Sequence, residues 1–241
     1  MESTQINRLR LTLKKLKFLF LVASLFYFES SNCQNLVDNP SFENYSECPS
    51  DNTFYATGWY RVAHHNGTVD YLNTCAPFSY VSIPANRFGT QEPYDGNAYI
   101  GLVFLNPVST YREYIQTNLL SPLVAGQFYK VSFLVSLTDS STHAMNNIGA
   151  VLTNEPIIGN DDMEQLVINP QINSSLIIRD KINWVEVSGV FKAEGGEEFL
   201  TLGNFHSNEE TSKEIVMNSA QKTSYHLVDF VQVVQTDAPR T

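Results

Sequence analysis

Charge is what this sequence has little of. Only 17% of its 241 residues are Asp, Glu, Lys or Arg, against roughly 25% in an average soluble chain. With 43% hydrophobic residues, that balance excludes a disordered or collagen-like polymer and leaves apolar mass for a sizeable core. Positive charge is the scarcer sign. Of 15 basic and 25 acidic residues, Arg8, Arg10, Lys14, Lys15 and Lys17 and the acids Glu2 and Glu29 precede residue 34, which leaves 10 basic against 23 acidic residues, a formal −13, in the remainder. Such a surface repels phosphate backbones and excludes nucleic acid as a partner. Catalytic signatures are missing as well: there is no Gly-x-Ser-x-Gly elbow, no His-Glu-x-x-His, no Walker loop and no dinucleotide fingerprint. The five histidines, His64, His65, His143, His206 and His226, are scattered, and adjacent His64-His65 would point to opposite faces of a strand.

Only one long apolar run exists, residues 18–28 (FLFLVASLFYF). Eleven residues are too few for a bilayer core of about 30 Å, which needs roughly 20. The basic stretch before it and Ser31-Asn32-Cys33 after it have the layout of a secretory signal over residues 1–33, with Gln34 first in the mature chain. An uncleaved anchor and a lipoprotein acylated at Cys33 are the alternatives. The expected protein is therefore secreted, periplasmic or held at the cell surface, with no membrane span in the mature chain. Export leaves Cys48 and Cys75, which in an oxidising compartment form a disulfide. Closing a loop of that size contributes on the order of 3 kcal/mol. A zinc site would need more ligands than His64 and His65 supply.

What is present is alternation. Tyr129, Val131, Phe133, Val135 and Leu137 share one face of residues 127–137, and Ala98, Ile100, Leu102 and Phe104 share one face of 97–105. Further strands are expected over 35–43, 111–119, 147–153, 184–192, 198–206 and 225–234, bounded by turn residues such as Asp95-Gly96-Asn97 and Glu194-Gly195-Gly196. No stretch of helix length carries a 3.6-residue apolar period; 161–167 is expected to form one short turn. The reading is all-β: a single jelly-roll β-sandwich over 34–235 and a short tail over 236–241. Residues 44–96 read as long loops pinned by the disulfide. In 225–233 the odd positions place Asp229 among Tyr225, Leu227, Val231 and Val233, on an expected core face. A lone buried carboxylate there needs a cation, donors or protonation. If the first and last strands pair, Glu43 meets Asp229, and two carboxylates with backbone carbonyls suit calcium; a hydrogen-bonded Asp229 at a bulge is the alternative.

Residues 35–43, Asn-Leu-Val-Asp-Asn-Pro-Ser-Phe-Glu, resemble the NLVxNPSFE opening of secreted β-sandwich domains of Bacteroidetes-type bacteria, often found before OmpA-like or sorting domains. The resemblance continues through Cys48-Pro49, Gly58-Trp59, Asp70-Tyr71, Gly96-Asn97-Ala98-Tyr99, Tyr111-Arg112-Glu113-Tyr114 and Gly203-Asn204-Phe205. It departs at the closing motif, where Phe230 replaces a second Asp. The resemblance implies a galactose-binding-like, carbohydrate-binding-module-like jelly roll. It also implies a structural calcium ion held by Glu43, the carbonyls of Ser41 and Asn97, and Asp229, with Glu92 or Asp95 nearby.

Sugar sites stack aromatic faces on pyranose rings amid amides and Arg. Tyr94, between Pro93 and Asp95, is the leading candidate for such a contact, followed by Tyr60, Tyr71 and Arg112; Trp59 and Trp184 read as core anchors. The expected function is a non-catalytic binding module whose partner is a glycan. The alternative is a structural or adhesive domain binding an envelope protein, and a glycan-active hydrolase ranks below both.

Overall fold

Strand alternation of the kind read above builds two antiparallel sheets in the computed structural model, which describes residues 34–239 apart from 52, 63–67, 78–79 and 160–164. The expected signal over 1–33, the His64-His65 pair and much of the turn expected at 161–167 lie outside the described residues. Among those described there is no helix, and none long and apolar enough to cross a membrane.

The described residues form fourteen strands, in chain order β1 Trp59–Arg61, β2 Asp70–Asn73, β3 Ala85–Asn86, β4 Gly89–Thr90, β5 Ala98–Leu105, β6 Ile115–Asn118, β7 Phe128–Leu137, β8 His143–Met145, β9 Gly149–Thr153, β10 Ile172–Asn173, β11 Val185–Lys192, β12 Phe199–Gly203, β13 Lys213–Ile215 and β14 Ser224–Thr236. One sheet has the order β1-β6-β12-β9-β10 and the other β11-β7-β14-β5-β2; β3-β4 and β8-β13 are separate two-stranded ribbons. This is the all-β jelly-roll sandwich that the alternation implies. Its core is filled by the faces read from the sequence: Ile100, Leu102 and Phe104 of β5, and Val131, Phe133 and Val135 of β7, all fully buried, meet Ile115, Ala150, Leu200 and Leu202 of the facing sheet. The Cys48–Cys75 disulfide, spanning 27 positions, ties the loops before β1 and after β2.

Two expectations are corrected. Residues 35–43 do not form a strand. Their groups are used singly: Leu36 donates its N–H to the Val233 carbonyl, Val231 donates to the Pro40 carbonyl, and Leu120 donates to the Leu36 carbonyl. The segment thus runs from the last strand of one sheet to the facing sheet at Val37–Leu119. The second correction concerns β14. Its odd positions do not share a face, because the register shifts between Asp229 and Gln232, with Phe230 at φ 51°. An added residue reverses side-chain parity. Tyr225 and Leu227 therefore join a second apolar cluster, with Leu72, Tyr99 and Val103, on the outer face of the β5-containing sheet. Val231 and Val233, beyond the bulge, point into the sandwich.

Candidate functional site: a carboxylate-lined cleft and a carboxylate-held turn

The bulge aims Asp229 at residues 93–97. The side chain is wholly buried, and its burial would be costly without donors. Three backbone groups supply them: the N–H of Tyr94 (2.9 Å) and of Asp95 (3.1 Å) donate to Oδ2, and that of Phe230 (2.7 Å) to Oδ1. Burial nevertheless pushes the Asp229 carboxyl up to about 7, with the three donors acting in the opposite direction. Glu43 holds the other half of the turn, accepting from the N–H of Asn97 (2.7 Å) and Ala98 (2.9 Å) through Oε1. Ser41 Oγ donates to Asp95 Oδ2 at 2.8 Å. Gly96 is required here: at φ +67°, any Cβ would lie 2.4 Å from the Glu43 carboxylate.

The residues expected to hold calcium are thus gathered at one turn. Their oxygens face N–H groups: Oδ2 of Asp229 already accepts two, and the Asn97 carbonyl accepts the Thr74 N–H at 3.0 Å. Among the described residues no group of three or more Asp, Glu, His or Cys side chains converges as a cation site. In this arrangement the carboxylates anchor the turn.

A second pair of carboxylates lies on the outer face of the β5-containing sheet. Asp70 opens β2 on the face opposite Tyr71, and it is 1% exposed. Its Oδ2 accepts a short hydrogen bond from the Tyr225 hydroxyl, and Arg87 Nη2 reaches Oδ1 at 2.9 Å. Burial raises the Asp70 carboxyl to about 6, against the opposing pull of Tyr225 and Arg87. Tyr225 can lie across the sheet because residue 101 is glycine, where a Cβ would sit 2.2 Å from the Tyr225 hydroxyl oxygen. Beside it, buried Glu113 accepts from the Thr68 N–H (2.9 Å), the Thr68 hydroxyl (3.0 Å), the Tyr111 hydroxyl (2.7 Å) and the Val103 N–H (2.7 Å). Phe88 stacks on Tyr225 with ring centroids 4.2 Å apart, and the Arg87 guanidinium lies 4.4 Å above the Phe88 ring. Asp70, Arg87, Phe88 and Tyr225, together with Thr68, Asn106, Tyr111, Ser140 and Thr223, line a cleft of about 520 Å³, and Glu113 supports its wall through its bonds to Thr68 and Tyr111.

The four residues named from sequence as ligand contacts do not meet. Tyr94 is 54% exposed, and its ring tilts against Phe230 at 5.4 Å. Tyr60 is half-buried at the edge of the other sheet, its hydroxyl donating to Asn118 Oδ1 at 3.1 Å. Tyr71 must be withdrawn as a contact: alternation puts it on the core face of β2, fully buried, with its hydroxyl bonded to the Phe42 carbonyl at 3.0 Å. Arg112 is withdrawn as a surface contact too, being 1% exposed. One nitrogen, Nη2, donates to Asn208 Oδ1 at 2.6 Å, while Nε and Nη1 have no partner; burial lowers its pKa to about 10. Trp59 is a core residue as expected, whereas Trp184 is half-exposed and packs edge-on against Tyr99.

Sequence reasoning passed over Asp70, Glu113, Arg87 and Tyr225. The signal was available: Asp70 precedes apolar Tyr71-Leu72, and Glu113 lies between Arg112 and Tyr114 in an expected strand. Each is a carboxylate directly before an aromatic residue, Tyr71 or Tyr114.

No family model and no curated protein matches the chain in sequence. Solved structures do match in fold. A Stig cyclase of Fischerella sp. TAU is 10% identical with a TM-score of 0.50, covering 85% of this chain and 98% of that one. The CBM22-1 xylan-binding domain of Paenibacillus barcinonensis Xyn10C is 14% identical with a TM-score of 0.44, covering 83% and 93%. The K1 cleaved adhesin domain of Lys-gingipain from Porphyromonas gingivalis W83 is 16% identical with a TM-score of 0.41, covering 80% and 94%. These likenesses are likenesses of fold.

Proposed function

We propose that the domain is a non-catalytic carbohydrate-binding module and that its ligand occupies the cleft on the outer face of the β5-containing sheet. One observation carries this reading: a cavity of about 520 Å³ joins an aromatic floor of Phe88, Tyr111 and Tyr225 to the neutral polar groups of Thr68, Asn106, Ser140, Gln221 and Thr223. Rings beside hydroxyls and amides match a ligand that is apolar on its ring faces and hydroxylated at its rim. The acids support a binding role over hydrolysis. Both oxygens of Asp70 and both of Glu113 already carry donors, so neither presents a free oxygen as nucleophile or base. The Cys48–Cys75 disulfide supports an exported protein, in line with the signal read over 1–33.

The test is a glycan array probed with the domain from Gln34 onward, repeated with Tyr111→Ala and Thr223→Ala. Retention of at least one glycan by the parent, weakened in both variants, is expected. No retention of any glycan, together with co-purification of an envelope protein, would establish the structural or adhesive alternative instead.

A further inference from the structure

The cleft has a neighbour. A second basin of about 420 Å³ is lined by Asp51, Thr53, Arg61 and Tyr80, in the loops that the Cys48–Cys75 disulfide ties down. Tyr80 lines that basin and Arg87 lines the cleft. The two side chains form the wall between them: the Arg87 guanidinium lies 4.1 Å from the Tyr80 ring centroid and also bonds the Tyr80 hydroxyl. The far side of the same guanidinium is held by Asp70 inside the cleft. Tyr80 is 44% exposed, so its side chain is open to a ligand beside the wall. Each basin offers a tyrosine ring and a threonine hydroxyl, Tyr111 with Thr68 on one side and Tyr80 with Thr53 on the other.

We infer that the two basins are successive subsites for one extended, uncharged polysaccharide chain, which crosses the edge of β2 over the Tyr80–Arg87 wall. This rests on the carbohydrate reading of the cleft and adds the class of sugar: a polymer, because a single ring cannot reach both basins, and a neutral one. Arg87 is already paired with Asp70, and the second basin carries the acid Asp51 as well as Arg61, so neither offers a net positive charge to a uronate or sulfate. The formal −13 after residue 33 repels polyanions at longer range.

Calorimetry with xylo-, cello- and manno-oligosaccharides of one to six residues tests it. In at least one series, affinity should rise about tenfold between the disaccharide and the hexasaccharide, the gain expected when a second subsite is engaged. Tyr80→Ala and Asp51→Ala should each reduce that ratio to below about threefold, and reduction of the disulfide should lower it in the parent. Equal affinity for short and long chains, or a length ratio unmoved by either variant, overturns the two-basin inference while leaving the cleft reading in place. Tighter binding of polygalacturonate than of any neutral chain overturns its charge assignment. Failure of every oligosaccharide and polymer to bind overturns the cleft reading itself.

Discussion

Two pairs of acids, Glu43 with Asp229 and Asp70 with Glu113, have their oxygens satisfied in different ways. At the turn, Glu43 and Asp229 are held mainly by backbone N–H groups, from residues 94, 95, 97, 98 and 230. At the cleft, Asp70 is held by side chains alone, the Tyr225 hydroxyl and the Arg87 guanidinium, and Glu113 by a mixture. Backbone donors cannot rotate away without unmaking the turn, so acids held by them are structural fixtures. Side-chain donors have rotamers and can exchange one acceptor for another. The difference separates a part of the molecule that shapes from a part that can recognise.

Removing one acid of each kind gives the largest contrast. Asp229→Ala leaves three N–H groups without their acceptor and should cost about 3–5 kcal/mol of unfolding free energy. Asp70→Asn keeps an oxygen for either Tyr225 or Arg87 and should cost about 1–2 kcal/mol, while glycan retention is lost. Urea denaturation reads the first effect and the array the second. Equal destabilisation by the two variants would erase the distinction.

A pH titration sharpens it. Both Asp229 (about 7) and Asp70 (about 6) lie above the ordinary carboxylate value of 3.8 because burial disfavours their charge. The folded state then binds protons more tightly than the unfolded one. Stability contributed by these groups is fully present below pH 3.8, declines as pH rises through 6 and 7, and is level above that. Asp70→Asn should remove the lower part of the decline. Calcium offers a further arm: an ion bound at Glu43 and Asp229 would favour the charged carboxylate and flatten the upper part. Since backbone N–H groups occupy those oxygens, the expectation is a melting temperature that neither calcium nor a chelator moves. A chelator-sensitive melt would show that the turn rearranges around a cation.

Tyr225→Phe should have a smaller effect, about 1 kcal/mol. The lost hydroxyl is a donor to the charged form of Asp70, so the Asp70 carboxyl should rise further above 6. NMR titration of the Asp70 carboxyl carbon checks the direction; a fall would mean that Arg87 and solvent already dominate.

How much of this could be read in advance follows from the range of the interactions. The inward faces of β5 and β7 were legible because alternation is a local property, and residues 98, 100, 102 and 104 need no partner to declare their side. Tyr225 and Asp229 were misassigned by one local event, the bulge at Phe230, which reverses parity within an otherwise regular pattern. Glu43 and Asp229 were expected near one another, with a hydrogen-bonded Asp229 at a bulge as the alternative to a cation, but which N–H groups donate to them was not readable, since N–H donors carry no residue signature. The single acids of the cleft left a local signal, but their meeting did not: Asp70 and Tyr225 are 155 positions apart, and the pairing of β2 and β14 on either side of β5 brings them together.

The smallest expected effect bears on the same comparison. Tyr94 is the residue that sequence reasoning favoured for ligand contact, and the turn held by Glu43 and Asp229 presents it to solvent at 54% exposure. Its structural contact is with Phe230, and an exposed aromatic pair of that kind contributes about 0.5–1 kcal/mol. Tyr94→Ala should therefore lower stability by no more than that amount, because the Tyr94 N–H that Asp229 accepts belongs to the backbone and survives the substitution. If the cleft is the binding site, glycan affinity in this variant equals that of the parent, whereas Tyr111→Ala weakens it. The reverse result, with affinity lost in Tyr94→Ala and kept in Tyr111→Ala, would move the ligand to the turn and make its two carboxylates the supports of a recognition platform.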